Sequence, residues 1–188
     1  KAFDAERLYL MYQPQIDLKN RRVLGFEALL RWRTDDGQMI PPADFIPLAE
    51  HSGLIISLGA WVLRTACFTM MQLLDKGFQL DRIAVNVSVI QFRQPDFFDL
   101  VESALRDSGL APHFLELEIT ESMTMSGAGL FEESLARLKT LGLQIAIDDF
   151  GTGFSSLSYL DKLPVDRLKI DRAFVMQIDT ENGPRIAE

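Results

Sequence analysis

From Ile83 to the end, the chain repeats one unit: five to seven apolar-rich residues, a turn, and an amphipathic stretch closed by glycine or proline. The segment Ile83–Ser88 (IAVNVS) precedes a predicted helix at Pro95–Ser108 that Gly109 ends. Phe114–Thr120 (FLELEIT) precedes Leu130–Thr140, ended by Gly142. Gln144–Phe150 precedes Ser155–Leu163, stopped at Pro164, and Arg167–Val175 leads into the start of another helix. Short strands alternating with helices specify parallel βα units and a sheet covered by helices.

The first eighty residues differ. Leu8–Ile16 and Val23–Trp32 read as two strands joined by a polar turn, Asp17–Arg22. Pro41-Pro42 opens a short helix at Ala43–Glu50. A long helix follows, Ile56–Lys76, with Leu58, Trp61, Val62, Thr65, Phe68, Met71 and Leu74 as its apolar stripe and Gly77 beyond its end. A barrel and an open doubly wound sheet both produce this order. The polar residues inside the strands favour a (β/α)8 barrel, whose sites gather side chains from the carboxyl ends of several strands. Such barrels take about 250 residues. The 188 residues here therefore read as one domain, 1–188, short of the last one or two βα units.

Each strand carries polar side chains opposite its aliphatic stripe. Val23–Trp32 offers Glu27 and Arg31; Ile83–Ser88 offers Asn86 and Ser88; Phe114–Thr120 offers Glu116 and Glu118. Gln144–Phe150 delivers Asp148 and then Asp149 just before the glycine loop GTGFSS, and the last strand offers Lys169 and Asp171. Any one of these could be a buried ion pair or a solvated strand end. Several carboxylates gathered together are costly unless cations neutralise them. Glu27, Glu118, Asp148 and Asp149, with the amide oxygen of Asn86, form an all-oxygen donor set. That chemistry suits Mg²⁺ or Mn²⁺ rather than zinc. Neighbouring aspartates can serve two ions about 3.5–4 Å apart, an arrangement suited to phosphate-ester hydrolysis. Arg31 and Lys169 then read as phosphate partners or a water activator. GTGFSS lacks the Gly-Lys-Ser/Thr ending of a nucleotide-triphosphate loop and reads as a βα loop beside the site.

A net charge of −8 argues against duplex nucleic acid as partner and makes cations the natural mediators of any anionic ligand. The single cysteine, Cys67, lies within a helical pattern as a small buried hydrophobe, so no internal disulfide exists and a reducing compartment is expected. No uninterrupted apolar run approaches the ~20 residues of a membrane span. His51 and His113 lack metal-ligand spacing and read as structural or solvated.

The motifs resemble, in order, those of the EAL-domain family of bacterial cyclic di-GMP phosphodiesterases. Glu27-Ala28-Leu29 stands within FEALLRW; around it come YQP at Tyr12–Pro14, NVS at Asn86–Ser88, LEITES at Leu117–Ser122, DDFGTGFSSL at Asp148–Leu157 and LPVDRLKID at Leu163–Asp171. The resemblance implies a modified TIM barrel with its first strand antiparallel to the rest, and a Mg²⁺- or Mn²⁺-dependent opening of cyclic di-GMP to linear pGpG. It implies metal ligation by Glu27, Asn86, Glu118 and Asp148, a second ion at Asp149, and a water held or activated by Lys169. Gln13 and Arg31 would meet guanine and phosphate, Asp171 would line the site, and Glu121 would anchor the GTGFSS loop. A homodimer, fusion to sensory or GGDEF modules, and a cytoplasmic location follow from the same resemblance. The family's AEGVE-like and QGY segments have no counterpart here, and Glu188 falls too early to replace the first. Hydrolysis is accordingly expected of a longer protein, and the alternatives are a receptor that binds cyclic di-GMP without cutting it and an unrelated metal-dependent barrel lyase.

Overall fold

The computed structural model describes residues 7–124, 128–151 and 163–177. Its centre is one mixed sheet. The strands are β1 (Leu8–Ile16), β2 (Val23–Arg33), β3 (Met39–Ile40), β4 (Arg82–Asn86), β5 (Leu115–Thr120), β6 (Gln144–Phe150) and β7 (Arg167–Ile170), in spatial order β1-β2-β4-β5-β6-β7 with β3 beside β2. β1 and the two-residue β3 run antiparallel to β2, and the pairings β2–β4, β4–β5, β5–β6 and β6–β7 are parallel. Among the described residues the sheet remains open, with β1 and β7 at its ends.

Helices cover the aliphatic face. They are α1 (Pro42–His51), α2 (Leu54–Asp75), α3 (Val89–Phe92), α4 (Phe97–Ser108), α5 (Glu121–Thr124), α6 (Ala128–Thr140) and α7 (Arg172–Gln177). Ile83, Val85, Leu115, Leu117, Ile119, Ile145 and Ile147 point into this layer and are at most 2% exposed. The opposite face carries the polar side chains. Period-two alternation therefore separates core from site on every strand.

Three expectations shift. β7 stops at Ile170, and Val175 lies in α7, because Asp171 accepts the backbone N–H of Ala173 at 2.7 Å and starts a helix there. The strand expected at Ile83–Ser88 ends at Asn86, and Ser88 caps α3. In α2 the buried stripe is Ile55, Leu58, Gly59, Val62, Leu63, Ala66, Cys67 and Met70, while Phe68 is 45% exposed. With apolar residues all round, the helix could be phased by sequence in more than one way. The helix expected at Ser155–Leu163 and the GTGFSS loop beyond Gly151 lie outside the described residues.

α2 is also, among the described residues, the one helix long and apolar enough to cross a membrane. Here Val62, Leu63, Ala66, Cys67 and Met70 are built into the main core with β4 and α4, while Ile55 and Leu58 join a smaller cluster with Leu8 and Ala49. Burial pushes the Cys67 thiol up to about 12.

Two glycines are set by close approach. A Cβ at Gly25 would collide with the Arg82 carbonyl oxygen across the β2–β4 pairing, and a Cβ at Gly59 would collide with the Gln91 side chain.

Candidate metal centre

Five strands each deliver one side chain to the same spot on the polar face: Glu27 from β2, Asn86 from β4, Glu118 from β5, Asp148 from β6 and Lys169 from β7. The register explains why. Glu27 lies opposite Ala84, so Asn86 stands two residues further along; Asn86 lies opposite Glu118; Asp148 lies opposite Thr120, again two beyond Glu118. The residues climb the sheet diagonally, as strand stagger in a barrel requires.

The Lys169 ammonium is the hub. Its Nζ donates to Glu118 Oε2 at 2.6 Å, Asp148 Oδ2 at 3.0 Å and Glu27 Oε2 at 3.1 Å. Asn86 Nδ2 donates to Glu27 Oε1 at 2.7 Å. Glu27, Glu118 and Asp148 offer carboxylate oxygens that all lie within 4.8 Å of one another.

The electrostatics follow from burial and crowding. Glu118, 1% exposed, is pushed up to about 7, first by desolvation and then by the Glu27 charge, with Lys169 pulling the other way. Desolvation works to lower Lys169, but Glu118, Glu27 and Asp148 outweigh it and hold its proton above the ordinary lysine range. Asp149 is raised by desolvation and by the charges of Asp148 and Asp171.

The remaining expected residues divide. Asp149 sits in the left-handed region at φ 56° and donates its N–H to Asp148 Oδ1 at 2.9 Å; it lies outside the cluster of three carboxylates. Glu121, 3% exposed, accepts the Gly151 N–H on Oε2 at 3.0 Å and so ties the end of β6 to the start of α5. Gln13 is the cross-strand partner of Glu27, which puts both on one face. Arg31 Nη1 is turned onto the Leu30 carbonyl at 2.9 Å. The Asp171 carboxylate is engaged in capping α7.

Two features escaped the sequence reading. Ser88 and Gln91 form a reciprocal capping box that fixes α3 immediately after Asn86, and the Ser-x-x-Gln spacing was its available signal. Beneath the site, the fully buried Glu116 forms ion pairs with Arg82 and Arg167, and Arg82 Nε donates to Gln15 Oε1 at 2.7 Å. The inward alternation of Glu116 was legible, but its partners are set by strand register.

The donor set fits a hard divalent cation. Every ligating atom offered is oxygen, and Glu118 Oε1 is buried with no hydrogen-bond partner among the described residues. The carboxylates also converge on a point that already attracts positive charge, that of Lys169.

Comparison with known proteins agrees with this geometry. The chain is 45% identical over 180 residues to the signaling protein YkoW of Bacillus subtilis, covering 96% of this chain and 22% of YkoW. It is 44% identical over 178 residues to the bifunctional diguanylate cyclase/cyclic di-GMP phosphodiesterase MucR of Pseudomonas aeruginosa, covering 95% of this chain and 26% of MucR. The chain thus spans about a quarter of the length of these curated relatives. A solved structure of the PaMucR phosphodiesterase in complex with c-di-GMP superposes with a TM-score of 0.91 at 44% identity, covering 96% of this chain and 73% of that one. The EAL domain model matches residues 1–187, and the chain belongs to the EAL domain family.

Proposed function

We propose that this domain is a metal-dependent phosphodiesterase that opens cyclic di-GMP to linear pGpG. The observation that carries the reading is the convergence of Glu27, Glu118 and Asp148 on one point, and the other residues matched to the family's ligands, Asn86 and Asp149, are intact in the sequence. Two ions, Mg²⁺ or Mn²⁺, held by Glu27, Asn86, Glu118 and Asp148 with Asp149 serving the second, would supply an acidified water and neutralise phosphate charge.

The chain's own groups do the rest. With its proton held firmly, Lys169 acts as a hydrogen-bond donor, orienting the attacking water at Nζ rather than abstracting its proton. Glu118 is the most thoroughly buried of the carboxylates and fixes that ammonium. Gln13 and Arg31, on the face shared with Glu27, bind guanine and phosphate; Arg31 does so by leaving the Leu30 carbonyl. Asp171 borders the site by setting where α7 begins, and Glu121 holds the loop that Gly151 opens.

The domain is read as lying in the cytoplasm, in keeping with the free thiol of Cys67, whether or not the parent protein is anchored to a membrane. The parent protein is read as a homodimer, and the greater length of the matched relatives supports its joining this domain to sensory or GGDEF modules.

The test is chromatography of cyclic di-GMP incubated with Mn²⁺ and the parent protein or this domain, beside Glu27→Ala. Linear pGpG from the unsubstituted protein alone is the expected result. Binding without product in every form would overturn the enzyme and leave the receptor.

A further inference from the structure

On the helical side of the sheet, α3, α4 and α6 border a half-open cavity of ≈ 480 Å³, in the size range of small-molecule sites. Its walls are aromatic. The Phe92 ring stands 5.8 Å from Phe97 and 5.0 Å from Phe131, and Phe98 completes the lining. Two guanidinium groups also line it. Arg137 lies 3.9 Å over the Phe98 ring and 3.5 Å from the exposed Asp99 carboxylate. Arg93 has no side-chain partner among the described residues. Two cations beside an apolar cavity stand out on a chain of net charge −8.

We propose that this cavity binds an amphipathic carboxylate of the fatty-acid type. The alkyl chain lies along the wall that the packed phenylalanine rings form, and the carboxylate is held by Arg93 and Arg137, whose planar forks match it. A long alcohol would fill the same apolar space but leave Arg93 without an anion and Arg137 with Asp99 alone. The cavity also adjoins what holds the metal ligands. Val89 and Phe92 belong to α3, whose cap Ser88 lies two residues after Asn86. Met123, another lining residue, lies two after Glu121, the partner of Gly151. An occupant therefore touches both segments that shape the site, without entering it.

The experiment is calorimetric titration of the chain with decanoate, repeated with decanol and with two variants. The expected result is one saturable decanoate site and at least tenfold weaker binding of decanol. The double variant Arg93→Gln/Arg137→Gln weakens decanoate at least tenfold. Ser134→Trp, which fills the mouth from an exposed position, abolishes binding while the melting temperature shows the fold intact. The proposal is overturned by no saturable heat with decanoate, by decanol binding as tightly, or by a folded Ser134→Trp that binds as before. Because binding is read directly, failure here is independent of any result on cyclic di-GMP hydrolysis.

Discussion

Lys169 Nζ lies 2.6 Å from Glu118 Oε2, and this contact across 51 residues joins the most buried carboxylate of the site to the ammonium at its centre. The cluster has three carboxylates and one lysine. Among the described residues, Lys169 is the one cation hydrogen-bonded to all three.

Replacing Lys169 with Met should therefore destabilise the metal-free chain by about 3 kcal/mol, the cost of stranding a buried charge. Added Mn²⁺ should recover more stability in the variant than in the unsubstituted chain, because it meets unneutralised carboxylates. Urea unfolding with chelator and with Mn²⁺ reads both effects; equal metal stabilisation of the two proteins would refute the counter-ion role.

Glu118 titrates near 7 when folded, against 4.5 ordinarily. Between those values the folded chain keeps a proton that the unfolded chain has released. Stability of the metal-free protein should fall as pH rises from about 4.5 to 7 and level off above. Glu118→Gln should remove that slope, and a pH series of chelator-treated denaturation curves compares the two.

Glu27→Ala removes a ligand at a strand end, where the side chain is 17% exposed, so the fold should survive. Mn²⁺ affinity should drop by at least about tenfold and hydrolysis should vanish, with loss of a first-row ligand costing no less than the outer-shell changes that reach that size. Paramagnetic resonance of free Mn²⁺ measures the affinity, and unchanged binding would remove Glu27 from the ligand set.

Gly25→Ala tests packing instead of chemistry. Its methyl would meet the Arg82 carbonyl at the β2–β4 pairing, which forces backbone apart rather than a flexible side chain. A loss of about 3 kcal/mol is expected, at the upper end for overpacking. A denaturation midpoint that does not move would show that the strands can separate freely.

How much of this could be read from residues alone varies with the local signal. β1 and β6 were legible at both ends because alternation stops at turn residues on each side. Glu27, Asn86, Glu118 and Asp148 were legible as a set because period two puts each on the polar face. Lys169 was recognisable as an inward residue, but its central position depends on the stagger of five strands. The end of β7 was missed because apolar residues resume at Ala173-Phe174-Val175 after Asp171-Arg172, and the Asp171 cap marks the change. The phase of α2 failed for the opposite reason: too many apolar positions left no single stripe to read. Arg31 was placed correctly on its strand face, yet its hydrogen bond to the Leu30 carbonyl is a rotamer choice that sequence does not encode.

Cys67, fully buried and with its thiol held near 12, is chemically silent toward maleimides at neutral pH. The chain thus comes ready for site-directed labelling with no background to engineer away. A cysteine introduced at a surface position such as Leu18, 95% exposed, would be the one reactive sulfur available for a dye or spin probe.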